Sequence, residues 1–242
     1  MEVRIAVAKV SKYATSKSGD TVEVVERPNG GLSVVMADGQ SSGHGAKWIS
    51  TLVVRKVITL LAEGVRDGAA ARAASDSLYT ERGGRVSSTL NILSVDKQTN
   101  TLVVTRNNPA PLLLVINGEI RIMDDPSRPV GLYRDTRPVI CEVDLKPGLV
   151  AVVYSDGLIH AGDRTGQHMD VAASLKDFIK PSDGVDLPEE LTSQSIADHL
   201  LGIALALDAG RPVDDITVVV LLVTSLKGDS VRRLSVRLPL DS

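Results

Sequence analysis

Four acidic residues next to apolar runs are the residues of this sequence best suited to chemistry. Asp38 follows the run 32–37 and Asp156 follows the run 150–155, each continuing as Asp-Gly, while Asp214 and Asp215 stand directly before the run 216–223. A single Asp-Gly is usually an ordinary turn in which the aspartate caps the next element. The recurrence of this arrangement favours a functional cluster.

The predicted strands would bring these acids together. If the runs pair as antiparallel strands, the carboxyl end of one lies beside the amino end of its neighbour, and the four carboxylates meet at one rim. Crowded carboxylates repel one another, and a divalent cation relieves that repulsion. Ligands that are all oxygen favour a hard ion such as magnesium or manganese over zinc.

The elements around the acids form an α+β pattern. Asn29-Gly30 and Asn117-Gly118 predict hairpins. Hairpin-joined strands with two helix pairs set apart in sequence predict stacked antiparallel sheets with helices outside, and we expect a single domain over residues 1–242. Strands are predicted at 3–10, 21–26, 32–37, 88–95, 101–106, 111–116, 119–123, 138–143, 149–155, 216–223 and 231–238, and helices at 46–63, 66–79, 169–179 and 192–208, with a looser segment at 181–188.

Composition excludes several classes of partner. Aromatic residues make up 2% of the chain, which argues against base-stacking nucleic-acid modules, and the net charge of −3 offers no basic surface for nucleic acid or an anionic membrane. The single cysteine, Cys141, excludes an internal disulfide and fits a reducing cytoplasm. No signal peptide or membrane-spanning run is evident. We therefore expect a cytoplasmic protein without nucleic-acid or membrane partners.

Several familiar catalytic motifs are missing from the sequence. Cys141 is not followed by a phosphate-binding arginine, and neither a Gly-x-Ser-x-Gly elbow nor a Walker loop occurs. The four histidines lack the spacing of a zinc site. His44 is close enough in sequence to Asp38 to reach a substrate at the predicted rim.

Five short motifs, taken in order and at their spacing, resemble the protein phosphatase 2C (PPM) family and its bacterial SpoIIE-like branch over nearly the whole chain. The resemblance implies a four-layer sandwich of two antiparallel sheets between helix pairs, with two manganese or magnesium ions at one end. The motifs are Ser18-Gly19-Asp20, Ala37-Asp38-Gly39, Ser87-Ser88-Thr89, Tyr154-Ser155-Asp156-Gly157 and Asp214-Asp215-Ile216-Thr217.

The resemblance also implies roles for individual residues. Asp38 would bridge both ions, the backbone carbonyl of Gly39 would bind one of them, and Asp156 and Asp214 would complete the other. Asp20 would lie in the metal shell or just behind it. The ions would activate a water for in-line attack on phosphorus, without a covalent intermediate.

Two positions leave alternatives open. Asp215 is assigned as a supporting neighbour of the ligands, and an exchange of roles with Asp214 remains open. Ser41 replaces the first glycine after the Asp-Gly pair of the family turn Asp-Gly-x-Gly-x-Gly. If that position needs a positive φ, serine adds strain of about 1 kcal/mol, with consequences for loop mobility and activity.

The expected substrate is a phosphoprotein. Because Asp20 comes almost at the start, the chain is similar to stand-alone stressosome phosphatases of the RsbX type, which implies hydrolysis of phosphoserine or phosphothreonine on STAS-domain signalling proteins. One alternative is an RsbU-like phosphatase of an anti-anti-sigma factor. Another is a pseudophosphatase that binds a phosphoprotein without turnover. The sequence leaves the oligomeric state open, although an edge strand at 231–238 would cover a sheet or pair with a second subunit.

Overall fold

The computed structural model describes residues 1–179, 188, 190–225 and 228–239. The predicted loose segment at 181–188 lies, apart from Pro188, outside the described residues. The strands are β1 (Glu2–Val10), β2 (Asp20–Glu26), β3 (Leu32–Gly39), β4 (Ser88–Asp96), β5 (Thr101–Asn107), β6 (Leu112–Ile116), β7 (Glu119–Met123), β8 (Val139–Asp144), β9 (Val150–Tyr154) and β10 (Ile216–Thr224). The helices are α1 (Gly43–Ala62), α2 (Asp67–Arg82), α3 (Asp156–Ile159), α4 (Val171–Ile179) and α5 (Ser193–Leu207).

The strands form two five-stranded antiparallel sheets. The first sheet has the order β1-β10-β9-β6-β7, and the second has the order β2-β3-β4-β5-β8. One apolar cluster fills the space between the sheets. A second lies between the first sheet and α4 and α5, and a third between the second sheet and α1 and α2. The result is the predicted four-layer α+β sandwich.

Strand β10 shows why the sandwich follows from the sequence. Its residues from Ile216 to Val223 are all fully or almost fully buried. Alternate side chains enter different clusters: Val218 and Val220 face α4 and α5, while Val219 and Leu221 face the other sheet. A central strand covered on both faces needs this nearly continuous apolar run.

Several helical features differ from the prediction. Helix α1 begins at Gly43, three residues earlier than predicted, because the turn after β3 leads directly into it, and α2 ends at Arg82, three residues later than predicted. Trp48, which shares the helical spacing of the apolar residues of α1, is 40% exposed. The one-turn helix α3 was not predicted, since four residues carry too little periodicity to detect. No helix among the described residues is long and apolar enough to cross a membrane.

The predicted edge strand at 231–238 is wrong. The described residues 228–239 form no strand, and Val231, Leu234, Val236 and Leu238 are 59–83% exposed. The observed attachment of this segment to the domain is through Arg232, which binds the Glu26 carboxylate and the Gly30 carbonyl. Alternating residues give a segment one apolar face, but a strand also needs a neighbouring backbone with which to pair.

Candidate active site

The predicted acids meet at one end of the sandwich, and they come from both sheets. In the second sheet, Asp20 begins β2 and pairs directly with Asp38 near the end of β3. In the first sheet, Asp156 follows β9 and Asp214 precedes β10, and these two strands are antiparallel neighbours. The expected antiparallel pairing therefore holds for β9 and β10, but it is wrong for β3. Asp38, with its neighbour Asp20, therefore faces Asp156 and Asp214 across the opening between the sheets.

Asp20 and Asp38 form the interior of this acidic cluster. Asp20 is fully buried, and its Oδ2 accepts a hydrogen bond of 2.5 Å from Thr217 Oγ1. Its Oδ1 has no hydrogen-bond donor among the described residues. The two carboxyl groups lie close enough to share a proton. Burial, followed by the negative charges of Asp20, Asp156 and Asp214, raises the pKa of Asp38, and burial also raises the pKa of Asp20.

Asp214 and Asp215 have different surroundings. Asp215 is 4% exposed, and its two oxygens accept hydrogen bonds from the backbone N–H groups of Lys12 (2.9 Å) and Gly19 (2.7 Å). It thereby ties the loop after β1 to the start of β10. Asp214 is half-buried, and burial together with the charge of Asp156 raises its pKa, although a hydrogen bond from the Asp215 N–H opposes that rise. The negative charge of a neighbouring acid, Asp156, therefore acts directly on Asp214.

The turn after β3 is fixed by close backbone contacts. A Cβ at Gly39 would lie 2.0 Å from the Ala46 carbonyl oxygen, so only glycine lets the turn pack against the first turn of α1. Ser88 Oγ donates a 2.7 Å hydrogen bond to the Asp38 carbonyl. Ser41 has a φ of 78°, which is the left-handed backbone that favours glycine. The position does require a positive φ, as the family pattern implies.

Two lysines beside the acids were not found from the sequence. The Nζ groups of Lys9 and Lys47 both donate to the Asp20 carbonyl, at 2.7 and 2.8 Å, and Lys47 also donates to Thr21 Oγ1. Burial lowers the pKa of both lysines, while the charge of Asp20 opposes that shift. A lysine at a strand end or in the first turn of a helix carries no distinctive signal. The register that pairs Lys9 with Thr217 places it here.

The donor set fits hard divalent cations. Among the described residues, no three His, Cys, Asp or Glu side chains are arranged to hold a metal ion on their own. Magnesium keeps several waters and is held by one or two carboxylates, so it does not need such a group. The buried Asp20 Oδ1 without a donor, and the like charges around Asp38, are features that such an ion would satisfy.

Solved structures with the same fold include phosphatase domains. The PP2C phosphatase domain with a regulatory-domain fragment of SpoIIE from Bacillus subtilis is 21% identical, with a TM-score of 0.75 over 92% of this chain and 64% of that one. The RsbU and RsbW domains of a Mycobacterium tuberculosis protein are 18% identical, with a TM-score of 0.70 over 92% of this chain and 60% of that one. RsbX in complex with magnesium is 14% identical, with a TM-score of 0.66 over 92% and 96%.

These identities establish the fold and do not single out the RsbX type. The chain spans about two thirds of the length of the first SpoIIE structure, 64%. No curated protein is significantly similar in sequence. The family model described as Stage II sporulation protein E (SpoIIE) matches residues 28–224, which is most of the chain. The chain therefore belongs to the SpoIIE family and has the fold of the PP2C-type (PPM) serine/threonine phosphatases.

Proposed function

We propose that the protein is a metal-dependent phosphatase that removes phosphate from phosphoserine or phosphothreonine on a STAS-domain stress-signalling protein in the cytoplasm. The observation that carries the proposal is the meeting of Asp20, Asp38, Asp156 and Asp214 at the open end between two sheets. Burying Asp38 where burial and the charges of Asp20, Asp156 and Asp214 raise its pKa is costly for folding alone. Such a cost is expected where the acids bind cations and a charged substrate.

The proposed ligands are those that the family resemblance implied. Asp38 would serve both ions, the Gly39 carbonyl would hold one of them, Asp156 and Asp214 would complete the other, and Asp20 would lie in the metal shell or just behind it. When bound, two magnesium or manganese ions would supply Lewis-acid activation of a water and neutralise charge on the phosphoryl group. The buried Asp20 oxygen without a donor supports a place for Asp20 at the edge of this shell.

The remaining polar residues hold this set in position. Thr217 fixes one oxygen of Asp20, while Lys9 and Lys47 hold its backbone carbonyl. Ser88 fixes the Asp38 carbonyl, which orients the start of the glycine turn. Asp215 keeps the loop after β1 against the cluster. These contacts orient the carboxylates before a substrate arrives, which reduces the reorganisation needed during the reaction.

Two other functions are supported by specific observations. An RsbU-like phosphatase of an anti-anti-sigma factor is supported by the RsbU-containing structure, which matches the fold as well as RsbX does. A pseudophosphatase is supported by Ser41, whose positive φ strains the turn that carries Asp38 and Gly39. In that case the domain, with or without its ions, would bind a phosphoprotein without turnover.

Hydrolysis of para-nitrophenyl phosphate with and without manganese tests the reaction, and phosphorylated STAS proteins test the substrate. We expect manganese-dependent turnover that Asp38→Ala and Asp156→Ala each abolish while circular dichroism shows a folded protein. Asp144→Ala is the matched control, because its side chain is 68% exposed on β8. Full activity of Asp38→Ala would refute the assignment. If the native protein and Ser41→Gly were both inactive, that result would favour the pseudophosphatase.

A further inference from the structure

A pocket of about 370 Å³ lies on helix α1, next to the acidic cluster. Its walls include four basic side chains, Lys17, His44, Lys47 and Arg55, and none of the described residues that line it is acidic. Trp48 and Leu52, with the aliphatic stems of the basic residues, provide its apolar surface. A pocket with an apolar interior and a basic rim is unusual on a chain whose net charge is −3.

The pocket is directly connected to the proposed active site. His44 is the second residue of α1, which begins straight after the glycine turn, and Lys47 reaches from the pocket wall to the Asp20 carbonyl at 2.8 Å. The charges of Asp20, Glu23 and Asp215 act on Lys47, so that lysine serves the acidic cluster more than the pocket. The basic groups left for a ligand are Lys17, His44 and Arg55, which are all exposed.

These basic groups lack acidic partners within the described part of the chain. Neither Lys17 nor Arg55 forms an ion pair or a side-chain hydrogen bond with another described residue. Trp48 is 40% exposed, and the guanidinium of Arg82 lies 4.1 Å from the centroid of its indole ring. That guanidinium covers one ring face and adds a further positive charge to the pocket's surroundings. An exposed tryptophan beside unpaired basic groups is typical of recognition surfaces.

We propose that this pocket binds an acidic segment of the phosphoprotein substrate, with an apolar side chain of that segment against Trp48 and its carboxylates at Lys17, His44 and Arg55. The inference rests on the proposed function, because it takes the occupant to be part of the molecule whose phosphate lies at the acidic cluster. Charge complementarity selects an acidic partner, and the adjacent site selects the segment that flanks the phosphorylated residue. The pocket therefore acts in substrate selection.

Binding can be measured without turnover, because Trp48 is the only tryptophan of the chain. Its fluorescence should respond saturably to an unphosphorylated ten-residue peptide that contains glutamates around one leucine, and affinity should fall as salt rises. Arg55→Gln and Lys17→Gln should each weaken binding about fivefold, the equivalent of roughly 1 kcal/mol for one charge contact. Lys56→Gln, on the same helix but outside the pocket, is the matched control and should bind as the native protein does.

Three results would overturn the proposal. The first is equal binding of a peptide with glutamine in place of every glutamate. The second is unchanged affinity of the two pocket variants for the acidic peptide. The third is the same fluorescence response to anionic lipid vesicles alone. With phosphopeptides, the ratio of kcat/KM for acidic over neutral flanks should fall in Arg55→Gln and not in Lys56→Gln. If no phosphopeptide is hydrolysed, the proposed function fails, while the fluorescence titration still decides whether the pocket binds acidic segments.

Discussion

Substitution of Asp38 by asparagine should stabilise the metal-free protein, although the residue belongs to the proposed catalytic set. Asp38 lies half-buried against Asp20, and Asp156 and Asp214 add further negative charge. Because these charges oblige the folded protein to hold Asp38 protonated at pH 8, an asparagine, which is neutral at every pH, relieves about 1–3 kcal/mol of unfavourable free energy. For a domain of this size, each kcal/mol shifts Tm by about 2–4 °C. We therefore expect Asp38→Asn to melt about 2–12 °C higher than the native protein in EDTA at pH 8.

The contact between Asp38 and the other acids also determines whether the free energy of unfolding rises or falls with pH. The pKa of Asp38 is raised in the folded protein, so above the usual aspartate pKa of about 4 the folded state holds a proton that the unfolded state has lost. The free energy of unfolding of the metal-free native protein should then fall as pH rises, by at most about 1.4 kcal/mol per pH unit for one proton. In Asp38→Asn this slope should be smaller.

Thermal melts between pH 5 and 9, in EDTA and in manganese, check both expectations. Manganese at about 100 times its Kd should stabilise the native protein by about 2.7 kcal/mol and leave Asp38→Asn almost unchanged. Asp144→Asn, an exposed substitution on β8, should follow the native protein in every condition. The explanation would be refuted if Asp38→Asn were less stable than the native protein in EDTA at pH 8, or if both proteins had parallel pH slopes.

Three further predictions concern the surroundings of the site. Ser41→Gly should change the free energy of unfolding by less than about 1 kcal/mol, because relief of left-handed strain is offset by greater freedom of the unfolded chain. The substitution should not lower manganese-dependent turnover. A loss of turnover would show that serine is needed at this position. Asp215→Asn should lower the free energy of unfolding by about 1–3 kcal/mol in urea titrations, because it weakens the hydrogen bonds to the loop after β1. Asp214→Asn should mainly lower the affinity for manganese, measured by calorimetry. The reverse result would exchange the roles of the two residues. Deleting residues 228–242 should leave Tm within about 2 °C, since the ion pair of Arg232 with Glu26 is exposed; a larger drop would mean that the segment packs on the domain in solution.

The sequence predicted the elements whose signals are local. Asn117-Gly118 predicts the turn between β6 and β7 because both turn residues need positive φ, and they have values of 52° and 77°. The run 216–223 predicts a strand covered on both faces because no polar residue interrupts it after Thr217. Such signals depend on neighbouring residues alone, so they hold in any tertiary context that buries the strand.

The failures occur where a pattern needs a distant partner. The segment 231–238 alternates as well as β1 does, yet β1 pairs with β10 along nine residues and the segment pairs with no described strand. Trp48 fits the helical spacing of α1 but lies at the side of its buried face, where it lines the pocket. Periodicity determines which side chains share a face, and packing determines which of them are buried.

The candidate site shows the same difference between local signals and contacts with distant residues. The sequence alone identified the candidate acids, because an aspartate beside an apolar run is visible in a few residues. Only the tertiary structure decided that Asp38 faces Asp156 and Asp214 from a different sheet, and that Asp215 is bound by the loop at Gly19, which lies 196 positions away. Hydrogen bonds between such distant residues depend on how the sheets stack, and stacking depends on the whole core.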